Sequence, residues 1–98
     1  MGIEEIKKAA SALCREFDVR RLDAFGSTAR GSASESSDVD LLVEFNEPER
    51  DPARRFFGLL HGLEDRLGCR VDLLTVGGLR NPCFKARALR ERVPVYEG

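Results

Sequence analysis

The stretch Asp38 to Phe45, DVDLLVEF, constrains this chain more than any other. In an extended strand successive side chains point to opposite faces, so Val39, Leu41, Val43 and Phe45 share one face and Asp38, Asp40, Leu42 and Glu44 the other. The first face is apolar and has to be covered. The second opens with two carboxylates, whose α-carbons stand ~6.6–7 Å apart in such a strand. From that span both acids can converge on one cation or two.

The rest of the sequence alternates helix and strand patterns around this segment. Ile3, Ile6, Ala10, Leu13 and Phe17 recur at spacings of three and four, which predicts an amphipathic first helix. Val19 to Phe25 reads as a strand that stops at Gly26. After Val39 to Phe45 comes a loop from Asn46 to Pro52, then a helix whose buried stripe is Phe56, Leu60, Leu63 and Leu67, closed by Gly68. A third strand is expected from Arg70 to Thr75, broken by Gly77 and Gly78. Asn81 followed by Pro82 is a cap and first helical position, and opens a last helix reaching about Glu91. Val95 and Tyr96 form a short closing strand. The order α-β-β-α-β-α-β, with room for one helical turn at Thr28 to Gly31, predicts an α/β (α+β) fold: a small mixed sheet with helices packed on it. With 98 residues, one domain over 1–98 is expected.

Composition mainly excludes. A chain that is 42% hydrophobic and 34% charged is globular rather than disordered or fibrous. Its net charge of -1 carries no electrostatic footprint of a nucleic-acid binder, so no direct DNA binding is expected. The opening MGIEEIKKAASALC lacks a signal-peptide layout and the apolar runs fall short of the ~20 residues of a membrane span, which predicts a cytoplasmic protein with no membrane partner. Cys14, Cys69 and Cys83 fit neither a zinc spacing nor an even disulfide set and read as reduced thiols. His61, the single histidine, reads as a surface or packing residue. Phe57 lies off its helix stripe, either as an exposed anchor or as a widening of the buried face. Arg80, Lys85, Arg87, Arg90 and Arg92 read as a solvated face, with contact to a nucleotide or an acidic partner as the alternative.

The chemistry concentrates in residues 26–40, GSTARGSASESSDVD. Asp72, in the third strand's VDLL, supplies a third acid if that strand pairs beside the second. Two carboxylates ~5 Å apart repel by ~3 kcal/mol at an effective dielectric of 20, so such a face calls for protons or cations. Oxygen-only ligands favour magnesium or manganese over zinc, and two magnesium ions can clamp an in-line phosphoryl displacement. Gly26 allows a phosphate to approach the main chain, and the Ser27 hydroxyl with neighbouring N–H groups can donate to its oxygens. Arg30 is either a further phosphate contact or a surface ion-pair partner. The plain alternative is a Gly-Ser turn followed by a solvated SESSD loop, but aspartates inside strands are disfavoured without a use.

Gly26-Ser27, ten residues, then Asp38-Val39-Asp40, with Asp72 following, resembles the signature of the polymerase-beta-like nucleotidyltransferase superfamily, and GSTARG followed by SDVDLLVEF resembles its minimal nucleotidyltransferase branch. The resemblance implies that Gly26 and Ser27 hold triphosphate oxygens, that Asp38 and Asp40 bind two magnesium ions, and that Asp72 completes the site of the catalytic ion. It implies ATP as substrate, with a hydroxyl acceptor attacking the α-phosphorus and expelling pyrophosphate. It also implies a partner: members of this branch are commonly paired with a HEPN-domain ribonuclease toxin, and some are similar to enzymes that transfer AMP onto a tyrosine of that toxin. Transfer to a small molecule or an RNA end, and a non-catalytic antitoxin that neutralises its partner by covering it, are the alternatives.

Overall fold

The apolar face of DVDLLVEF is met by two helices, and the acid-bearing face by one. In the computed structural model, which describes residues 2–31 and 38–98, the elements run α1 (Ile3–Glu16), β1 (Val19–Ala24), α2 (Gly26–Arg30), β2 (Val39–Phe45), α3 (Pro52–Leu67), β3 (Val71–Thr75), a 3-10 turn (Val76–Gly78), α4 (Pro82–Glu91) and β4 (Val93–Glu97). The four strands form one sheet in the order β3-β2-β1-β4. β1 is antiparallel to both β2 and β4, and β3 runs parallel to β2, the helix α3 making the crossover. The mixed sheet with packed helices is the expected one. The solvated reading of SESSD lies outside the described residues.

α1 buries Ile6, Ala10, Leu13 and Cys14, one stripe at helical spacing. These pack with Leu22, Ala24, Val39, Leu41 and Val43 of the sheet and with Leu59 and Leu63 of α3 into the main core. A smaller cluster on the opposite face joins Phe25, Leu42 and Ala88, so α4 lies over that side. Asn81 caps α4 as expected, its side-chain oxygen accepting from the N–H groups of Cys83 at 3.0 Å and Phe84 at 3.1 Å.

Two expectations are corrected. The helical turn after β1 begins at Gly26, two residues before Thr28, because the chain leaves β1 through an extended Phe25 and turns at once. The stripe of α3 is rotated rather than replaced: Leu63 is buried as expected, Leu59 and Arg55 are buried beside it, and Phe56, Leu60 and Leu67 pack half-buried against the same core. The rotation follows from close packing on α1. A Cβ on Gly58 would stand 2.5 Å from the Phe17 ring, and one on Gly62 2.8 Å from Leu13, so these two glycines let the helices approach.

Arg55 is 5% exposed and no carboxylate faces it among its contacts. Its guanidinium donates to the carbonyls of Phe17 (3.2 Å), Asp18 (3.4 Å), Glu47 (2.8 Å) and Arg50 (2.6 Å), and to that of Asn46. It also stacks 4.7 Å over the Phe45 ring. One side chain thus ties the end of α1 to the loop between β2 and α3, using the planar fork that only arginine has. Arg55→Ala should cost about 2–4 kcal/mol of stability in urea unfolding, because several buried carbonyls lose their donor. Arg55→Lys should recover less than about half, and the loss should persist at high salt since the acceptors are neutral. A loss under about 1 kcal/mol would show that the loop holds itself.

Candidate active site

The parallel register of β2 and β3 pairs Asp40 directly with Asp72. Both side chains therefore stand on the face opposite the main core, and neither has a lysine or arginine within ion-pair distance among the described residues. The main chain of Asp40 is fixed from both sides: its carbonyl accepts from the Phe25 N–H at 3.1 Å, and its N–H donates to the Thr28 hydroxyl at 3.0 Å. Thr28 is buried at 3% exposure. The turn carrying Gly26 and Ser27 is in this way stitched to the start of β2.

Gly26 adopts φ +59°, a left-handed conformation that other residues rarely take, and a Cβ there would lie 3.0 Å from Asp40 Oδ2. The conformation demands glycine, and a side chain there would also press on Asp40. Ser27 stands beside the Asp40 carboxylate, close enough to favour its charged form. Burial, then the negative charges of Asp72 and Asp38, push the Asp40 carboxyl above its ordinary range, outweighing the opposing pull of Arg30 and Ser27. This is the electrostatic signature of a site short of positive charge. Hard carboxylate oxygens, like charges facing one another and no nitrogen or sulfur donor fit a divalent cation of the magnesium type.

Asp38 sits exposed at the start of β2, outside the walls of the cleft that holds the other two acids. Among the described residues no three acidic, histidine or cysteine side chains close around a metal on their own. The arrangement is open, as suits an ion that takes part of its coordination from a substrate's phosphates. The cleft, about 400 Å³, is bounded by Gly26, Ser27, Arg30, Asp40 and Asp72 on one side. The other side is Phe84, Arg87, Ala88 and Glu91 of α4, a single stripe at spacings of three and four. Arg30 pairs with Glu91 at 3.5 Å.

Sequence reasoning missed Thr28 and, in the α4 stripe, Phe84, Ala88 and Glu91; Arg87 was offered only through the nucleotide contact that stood as the alternative to a solvated face. It also missed Asp23, 1% exposed in β1, which is neutralised by Arg21, whose Nε donates to both carboxylate oxygens at 2.8–2.9 Å, and by Arg92 at 3.5 Å. A strand aspartate on this face is therefore not by itself a sign of metal binding. A larger groove of about 770 Å³, lined by Phe45, Phe56, Phe57 and Val76 among others, contains none of the three acids. Phe57 is exposed there, edge-on to Phe56. The cysteines stay out of the chemistry: all three are free, and burial pushes the Cys14 thiol up to about 12.

Residues 6–95 match the model of the nucleotidyltransferase domain. The chain is 41% identical to the protein adenylyltransferase MntA of Thermococcus cleftensis, over 97% of either chain. Its structure superposes on that of a protein described as a minimal nucleotidyltransferase with a TM-score of 0.80 and 38% identity, covering 96% of both. It also shares the fold of a toxin-antitoxin structure with AMP-PNP, at a TM-score of 0.73 and 19% identity, over 94% of this chain and 73% of that one.

A carboxyl whose pKa is raised on folding binds its proton more tightly in the native state, so its charge costs stability above the folded pKa and costs nothing below the unfolded value of ~3.9. Asp72→Asn, which removes one of the charges pressing on Asp40, should accordingly raise stability at pH 7 by at most about 1 kcal/mol after solvent screening. The gain should fade as the pH is lowered below ~4. Melting curves at both pH values check this, and a lower melting temperature for the variant at pH 7 would contradict it.

Proposed function

The chain belongs to the nucleotidyltransferase domain family, in its minimal branch, and from that premise we propose that it transfers AMP from ATP onto a hydroxyl of a partner protein. The observation that carries this reading is the uncompensated pair Asp40–Asp72 set beside Gly26 and Ser27 in an open cleft. The adenylyltransferase name of the Thermococcus relative supports a protein acceptor, and the toxin-antitoxin neighbour motivates an antitoxin role; the family resemblance of the sequence adds a HEPN ribonuclease tyrosine as the acceptor.

In this reading Asp38, Asp40 and Asp72 hold two magnesium ions, and Gly26, Ser27 and Arg30 hold the triphosphate. Magnesium, when bound, supplies the positive charge that offsets the phosphates and acidifies the acceptor hydroxyl. The chain's own residues do the positioning. Thr28 fixes the main chain of Asp40, Ser27 favours its charged carboxylate, and Gly26 leaves room beside it. Transfer joins the acceptor oxygen to the α-phosphorus and breaks the bond to the bridging oxygen. Pyrophosphate leaves and the acceptor's proton passes to water. His61 stands on α3 against Phe57, away from the cleft, so no histidine of this chain serves as base.

Incubation with α-labelled ATP, magnesium and the HEPN protein should place label on that protein. Loss of toxin activity without label would replace transfer by occlusion. Asp40→Asn should keep the fold, seen as a melting temperature within a few degrees of the parent, while transfer falls by at least about a hundredfold. Asp72→Asn should separate the two halves of the reaction, with ATP binding by calorimetry retained within about threefold and single-turnover transfer lost by about a hundredfold or more. Unchanged turnover in either variant would remove that acid from the site.

A further inference from the structure

The cleft has a polarity beyond its acids. Glu91 uses one carboxylate for two arginines: Oε2 lies 3.5 Å from Arg30 Nη1 on α2, and Oε1 lies 3.6 Å from Arg87 Nε on α4. All three line the cleft that also holds Asp40 and Asp72. The cleft thus carries, besides Asp40 and Asp72, two guanidiniums, one from α2 and one from α4, that bracket a single carboxylate. Both contacts are longer than the 2.7–2.9 Å of a full charge-assisted bond, so each guanidinium keeps donors for something else.

The Arg87–Glu91 pair is poorly explained as a helix stabiliser. Arginine N-terminal to glutamate is the weaker order at this spacing, and a carboxylate on the last residue of a helix is disfavoured by the macrodipole. What the pair does accomplish is to hold Arg87 toward α2 rather than toward solvent. The neighbouring cations of α4 behave differently. Arg90 is exposed and does not line the cleft, and Arg92 turns to Asp23 and Glu44.

Building on the nucleotidyltransferase reading, we propose that Arg87, together with Arg30 and positioned by Glu91, grips the β- and γ-phosphates of the bound nucleotide. The reacting α-phosphate belongs beside Asp40 and Asp72, where transfer occurs, so the part of a triphosphate left for the two guanidiniums is its tail. Guanidinium forks match phosphate oxygens in geometry as well as charge, and two of them exceed the one carboxylate they share.

Calorimetric titration of ATP, AMP and inorganic tripolyphosphate, each with magnesium, tests the assignment in the full chain. Arg87→Gln should weaken ATP and tripolyphosphate by about tenfold or more and leave AMP within about twofold. Arg87→Lys should fall between, and Arg90→Gln, which removes the same charge outside the cleft, should match the parent. Arg87 is largely exposed, so its melting temperature should hold. Equal loss of ATP and AMP, no loss at all, or the same loss in Arg90→Gln would overturn the phosphate-tail role. A parent protein that binds neither ATP nor tripolyphosphate would overturn the nucleotidyltransferase reading with it, whereas parental binding unchanged in Arg87→Gln overturns Arg87 alone.

Discussion

The register that sets Asp40 against Asp72 is the constraint around which the molecule is arranged. Two like charges on adjacent strands push apart, and only a rigid frame keeps them facing each other. That frame is the opposite face of the same strands, where Val39, Leu41, Val43, Val71 and Leu73 are locked under α1 and α3. Each such side chain gains roughly 1.5–3 kcal/mol from full burial, so the summed apolar contribution far exceeds a screened repulsion of about 1 kcal/mol. The acids are held in place from the opposite face of their own strands.

Asp23 shows what the fold does with a strand aspartate when no cation is to be admitted. It pairs with Leu42 across the β1–β2 ladder, two residues along from Asp40 and on the same face. There it is buried beneath Arg21 and Arg92. Asp40 and Asp72 stand instead on an open cleft, with Ser27 beside Asp40. The same residue type on one sheet face is thus closed off in one place and left available in another, and the difference is whether arginine or solvent covers it.

Much of this was legible in the sequence because it follows from period. The alternation in β2, the stripe of α1 and the Asn81-Pro82 cap each express a local rule, and each appears in the structure. The register of β3 beside β2 made Asp72 the partner of Asp40, as the in-strand placement suggested. What escaped depends on tertiary contact. The phase of α3 is set by an arginine that satisfies main-chain carbonyls and by glycines under α1, and a hydropathy pattern weighs both as polar or neutral. Thr28 matters through one hydrogen bond across the turn, which no spacing reveals. Arg87 differs from Arg90 only by which side of α4 meets the cleft.

The sheet order β3-β2-β1-β4 also sets a sequence of events in synthesis. β1 occupies an interior position, yet one of its neighbours is β4, and Asp23 waits for Arg92, 69 residues further along the chain. A nascent polypeptide leaving the ribosome therefore exposes β1 with an unpaired edge, and a carboxylate without its second cation, until α4 and β4 have emerged. The residues of α1, β1, β2, α3 and β3, the acidic pair among them, precede that segment in the chain, and the cleft gains its second wall with the same segment that closes the sheet. The last stretch of the domain to be translated is thus both the seal of the fold and the far side of its cleft, which makes the two mature together.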